Sequence, residues 1–147
     1  MCFLEGIIFK SRILFMNIIL IAIGGALGSI ARYLSSDLIT KIFIKSQSFP
    51  TSFPIGTFFV NVFGCTLAGV CYFFVIKYFS NFDLRLKNFL FVGFLGGFTT
   101  FSAFSLDFFR LFEASQFSQA FIYAIFSLLF SILAIFFGFY FSKLIFG

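Results

Sequence analysis

The chain has 147 residues, 61% of them hydrophobic and 10% charged, with a formal net charge of +5 and no histidine. That balance excludes a water-soluble globular domain, because too little polar surface is available to cover an apolar core of this size. The ten Lys and Arg are scattered singly between apolar stretches, which fits membrane topology and gives no reason to expect a nucleic-acid partner.

In chain order the apolar stretches run over Ile13 to Tyr33, Ile55 to Tyr78, Phe89 to Phe112 and Phe117 to Phe146. Each reaches the roughly 20 residues that a helix needs to cross a hydrocarbon core about 30 Å thick. In hydrocarbon the backbone must satisfy its own hydrogen bonds, and four long spans are too few for a closed barrel, so an all-α membrane protein with four transmembrane helices is expected. Residues 1–15 do not read as a signal peptide, since no small-residue cleavage site follows Lys10 and Arg12. They are taken as an N-terminal extension or a misassigned start, with Met16 opening a four-helix transmembrane domain over 16–147.

On the first span, Gly24, Gly25 and Gly28 form a small-residue face suited to helix packing. The segment Ser36 to Pro54 carries both prolines and much of the Ser and Thr, and is expected to be a polar loop capping one mouth of the bundle. On the second span Thr57 and Asn61 stand four residues apart, with Gly64 close to the same face. The third span is interrupted by Gly96-Gly97-Phe98-Thr99-Thr100-Phe101-Ser102-Ala103-Phe104. Glycines and backbone-competing Thr and Ser are poor helix formers, so the third helix is expected to break at mid-membrane. Irregular backbone at that depth is tolerated where protein buries it or where it lines a cavity. There, unwound carbonyls suit a cation and a half-helix N-terminus suits an anion. Phe101 and Phe104 then face one side, and the positive edge of a phenyl ring can contact a small anion. On the fourth span Tyr123, Ser127 and Ser131 repeat every four residues as a stripe of hydroxyls.

The acids are Glu5, Asp37, Asp83, Asp107 and Glu113, none near the centre of a span, and no nucleophile-and-base set can be assembled. An enzyme is therefore not expected, and passive flow is favoured over proton-coupled pumping. Taken singly, the intramembrane Ser, Thr and Asn also fit a plainer role as glue between helices, at about 0.6 kcal/mol per contact. Together with the interrupted third span they favour an ion path. Lys77, Arg85, Lys87 and Lys143 fall on one side of the bilayer and Arg32, Lys41, Lys45 and Arg110 on the other. That even split favours neither orientation, although Lys10 and Arg12 would tilt it toward cytoplasmic termini. A chain without bias can insert both ways and pair as an antiparallel homodimer.

Three motifs carry a resemblance. Gly24-Gly25-Ala26-Leu27-Gly28 leads to Arg32-Tyr33, Gly56-Thr57 precedes Asn61 and Gly64, and Gly93-Phe94-Leu95-Gly96-Gly97 runs into Phe98-Thr99-Thr100-Phe101-Ser102-Ala103-Phe104. From Met16 onward the chain resembles the Fluc (CrcB) family of fluoride ion channels. The resemblance implies a fluoride channel in the cell membrane, a dual-topology homodimer with two pores that exports fluoride passively. It implies that the ring edges of Phe101 and Phe104 contact the ion. Asn61, Thr57, Tyr123, Ser127 and Ser131 would complete the pathway. It further implies a structural sodium ion held at the dimer centre by the backbone carbonyls of Gly96 and Thr99. Arg32 would either draw anions to a vestibule or anchor its helix. Ala103, where the family often has Thr or Ser, and the extension over residues 1–15 depart from the pattern. A small four-helix multidrug antiporter would need a carboxylate in the first span, which is absent; an accessory membrane subunit is the other alternative.

Overall fold

A computed structural model describes residues 2–46, 52–78 and 84–147, with side chains from residue 11 onward. Among the described residues the protein is all-helical. Four helical runs, Ser11–Lys45, Ile55–Tyr78, Leu84–Glu113 and Phe117–Phe146, are long and apolar enough to cross a membrane.

Helix α1 spans Cys2–Lys45 without a break. At about 1.5 Å per residue its 44 residues extend roughly 66 Å, well beyond a 30 Å hydrocarbon core. The expected loop from Ser36 is therefore corrected: helix continues to Lys45, and only residues beyond it connect to α2. The polar residues that suggested a loop instead support the helix from within. Lys41 pairs with Asp37 one turn back at 2.6 Å, and the Thr40 hydroxyl donates to the Ser36 carbonyl at 2.7 Å. Pro50 lies outside the described residues.

Helix α2 (Ile55–Tyr78) and the last helix, α6 (Phe117–Phe146), have the bounds expected from hydropathy. The third run is composite. A single turn, α3 (Leu84–Lys87), passes into a π-helical segment over Asn88–Leu95 and then into α4 (Gly96–Phe98). Thr99 and Thr100 are extended, with ψ of 153° and 121°, and helix resumes as α5 (Phe101–Glu113). Gly96 and Gly97, read with the neighbouring Thr and Ser as poor helix formers, are helical. A Cβ at Gly97 would come within 2.5 Å of the Gly25 carbonyl oxygen, so this glycine admits a neighbouring helix rather than a bend.

The third run packs along α1, and the contact at Gly28 explains how it comes so close. A side chain there would land on the Phe94 carbonyl oxygen, whereas a Cβ at Gly25 would meet nothing nearer than 4.0 Å. Helices α2 and α6 form the other main interface, with Phe73 against Phe139 at 5.9 Å and Phe74 against Phe146 at 5.2 Å between ring centroids. Phe104 and Leu111 of α5 bury against Ala120 and Tyr123 of α6. The outward faces remain apolar and exposed, as Ile125, Phe137 and Leu144 illustrate, which is the surface that lipid chains solvate.

Candidate ion pathway

Asn61 organises the site. Its Nδ2 donates to the Thr100 carbonyl at 3.1 Å while its Oδ1 accepts from the Thr100 amide at 2.8 Å. This two-point pairing supplies the hydrogen bonds that an extended residue loses when it leaves a helix, in surroundings where no water replaces them. The pairing also redirects one donor. In a continuous helix the Thr100 amide would bond the Gly96 carbonyl; here it bonds Asn61, and the Gly96 oxygen loses its usual partner.

The threonines finish the two helix ends. The amide and hydroxyl of Thr99 both donate to the Leu95 carbonyl at 2.9 Å, closing α4. The Thr100 hydroxyl accepts from the Ala103 amide at 3.2 Å and caps the N-terminus of α5. Gly64 lets α2 approach this corner: a Cβ there would strike the methyl of Thr99 and come within 2.9 Å of the Phe98 ring.

Beside the extended pair lies a cavity of about 200 Å³, lined by Asn61, Cys65, Thr99, Thr100, Phe101, Phe104, Ser127, Leu128 and Ser131. It gathers Asn61, both phenylalanines and two of the α6 hydroxyls anticipated from sequence. The rings of Phe101 and Phe104 lie 5.4 Å apart, inclined at 41°. Phe104 is buried and its ring meets Tyr123 at 5.3 Å, whereas Phe101 is 72% exposed on the single chain. Ser127 is 4% exposed and Tyr123 fully buried, and the two hydroxyls, one turn apart on α6, interact with each other. Ser127 borders the inner cavity, whereas Tyr123, although expected in the pathway, is not among its lining residues and stands behind the Phe104 ring.

Thr57 and Arg32 sit elsewhere. They line a second, wider cavity of about 370 Å³ with Tyr33, Ser36, Asp37, Thr40, Val60, Thr100 and Ala103. Thr100 borders both spaces. Arg32 forms no ion pair among the described residues, since Asp37 is taken by Lys41. The Thr57 hydroxyl donates to Asp107 Oδ2 at 2.7 Å, so its proton is committed and it presents lone pairs to the cavity.

Two residues of this region escaped the reading of the sequence. Asp107, its side chain 15% exposed, lies one turn beyond Phe104 and also faces Arg110 at 3.6 Å. Its spacing from Phe104 was the available signal. Cys65 lies one turn beyond Asn61, which places its thiol in the inner cavity.

The family model described as CrcB-like protein, Camphor Resistance (CrcB), matches residues 19–139. A protein of Campylobacter fetus named fluoride-specific ion channel FluC is 38% identical over 90% of this chain and 98% of its own length. The protein of the same name in Desulfotalea psychrophila is 39% identical over 86% of this chain and 92% of its own. That of Azotobacter vinelandii is 42% identical over 84% and 94%. The family match takes in parts of all four apolar runs and both cavities, and the relatives align over nearly their whole lengths. This is a multi-pass membrane protein, and it belongs to the CrcB family.

Proposed function

We propose that the protein is a fluoride-selective channel that lets fluoride leave the cell down its electrochemical gradient, lowering its cytoplasmic level. The observation that carries the reading is the inner cavity, where Asn61, the Phe101 and Phe104 rings and the α6 hydroxyls converge on the extended Thr99-Thr100 pair. Family membership and relatives named as fluoride-specific ion channels support it. Arg32 at the wider cavity attracts the anion. The ion then loses water in steps as Asn61, the two ring edges, and the Ser127 and Ser131 hydroxyls replace its hydration shell. Tyr123 backs the Phe104 ring and adds its own hydroxyl, and Thr57 borders the entrance. A negative-inside potential contributes about 2.3 kcal/mol per 100 mV to anion exit, so neither catalysis nor another energy source is required.

In this reading the extended pair is a break at mid-membrane, and the working unit is an antiparallel homodimer in the cell membrane. The balanced charge distribution supports dual insertion, and the exposure of Phe101 on the single chain supports its coverage by a second copy. The residues also fit a structural sodium ion. The Gly96 carbonyl has lost its helical amide and Thr99 is extended, so both oxygens are available to a hard cation. Bound there, sodium would supply charge neutralisation and cross-linking of the two copies.

The test is efflux from liposomes containing the purified protein. Fluoride release without chloride release is expected, and Phe104→Ile should reduce it. Equal chloride efflux, or no efflux at all from a folded dimer, would overturn the reading.

A further inference from the structure

The inner cavity reaches as far as Cys65 on α2 and Ser131 on α6. One turn further along each helix stand Gly69 and Ile135, and both line a separate cavity of about 310 Å³ with Tyr72, Phe136, Phe139 and Tyr140. Helix geometry aligns the two spaces. Asn61, Cys65 and Gly69 follow one another at steps of four, and Tyr72 is eleven residues beyond Asn61, close to three full turns. It therefore returns to the Asn61 face about 16 Å further along α2. Gly69 lets the two backbones meet, since a Cβ there would strike the Ile135 carbonyl oxygen, so α2 puts no side chain at the step between the cavities. Beyond that step the Tyr72 ring leans on Phe139 at 6.0 Å between centroids and is 54% exposed. Lys143 lies two turns beyond Phe136 on the same face of α6, whereas Lys77 is held over the Phe73 and Tyr78 rings.

We propose that this cavity is the second mouth of the fluoride path, at the opposite end from Arg32, with the Tyr72 hydroxyl as the donor that meets the ion beyond Ser131 and Lys143 as the charge at its rim. The inference rests on the channel reading. Three cavities then succeed one another along α2: Thr57 borders the first, Asn61 and Cys65 the second, Gly69 and Tyr72 the third. The third is wider than the second, and its largely apolar wall offers few groups that would hold an anion back. That suits a place where the ion regains water, because conduction needs sites weak enough to leave. Tyrosines near helix ends also serve as plain interfacial anchors, and α2 supplies a comparison. Tyr78, 57% exposed and six residues beyond Tyr72, is turned to another face and stacks on Phe74. It shares the interfacial setting of Tyr72 and lines none of these cavities.

The experiment is fluoride efflux from liposomes containing the full chain, each variant first matched to the parent by size-exclusion profile. Tyr72→Phe keeps the ring and removes the donor, and should lower efflux roughly three- to tenfold, while Tyr78→Phe should conduct like the parent. Charge provides a readout that an anchoring role would not move. Tyr72→Lys and Tyr72→Glu both remove the ring, yet the glutamate chain should conduct at least about fivefold less than the lysine chain at low ionic strength. That gap should close as an impermeant salt is added, because the charges are then screened. Lys143→Gln should lower efflux at low ionic strength and have little effect at high. Equal efflux from the Lys and Glu variants, or a Tyr72→Phe chain that conducts like the parent, would overturn the proposal and leave the channel reading standing. A folded parent that passes no fluoride would overturn both.

Discussion

Replacing Asn61 tests the link between the extended pair and conduction. Asn61→Ala removes the donor to the Thr100 carbonyl at 3.1 Å and the acceptor for the Thr100 amide at 2.8 Å. At about 0.5–1.5 kcal/mol net per hydrogen bond the two together contribute about 1–3 kcal/mol, with the higher end expected where both backbone groups are left without water. The same change deletes one of the polar groups facing the inner cavity. Since about 1.4 kcal/mol corresponds to a factor of ten, fluoride efflux should fall by roughly tenfold or more, and thermal unfolding in detergent should move to lower temperature. Asn61→Asp separates the two roles. Its carboxylate still accepts from the Thr100 amide, so it should unfold nearer the parent than the alanine variant does. It also places a negative charge in the path of an anion, so its flux should be lost. An alanine variant that unfolds and conducts like the parent would refute the reasoning, because Thr100 would then hold its conformation without this pairing.

Further predictions concern other contacts. Gly28→Ala drives a methyl onto the Phe94 carbonyl and should strongly reduce the yield of folded protein, whereas Gly25→Ala, with nothing nearer than 4.0 Å, should be accommodated; size-exclusion profiles compare them directly. Thr57→Val withdraws the hydroxyl held by the mostly buried Asp107 carboxylate and should cost about 1–3 kcal/mol. In a double-mutant cycle with Asp107→Leu the combined loss should be smaller than the sum of the single losses. Replacing sodium by a bulky organic cation should weaken the dimer, measured by the concentration at which the protein dissociates in detergent; an unchanged dissociation profile would count against Gly96 and Thr99 as sodium ligands.

Hydropathy over runs of 20 or more residues determined the class of the protein and the bounds of α2 and α6, because burial in lipid demands continuous apolar helix whatever the neighbours are. Periodicity placed Asn61, Ser127 and Ser131 on defined helix faces, since a spacing of four residues on a helix leaves little choice. It did not separate Thr57 from them, because its partner Asp107 is 50 residues away in sequence. The same limit applied at the third span. Glycines together with backbone-competing Thr and Ser marked the stretch from Gly96 to Phe104 as weak; within it the lack of a side chain at Gly97 admits contact with α1, and the extended residues are Thr99 and Thr100. Local composition could mark the region where helix was weakest. Which two residues left the helix was decided by the tertiary structure, where Asn61 from another helix offers a donor and an acceptor at the one height where Thr100 can use both.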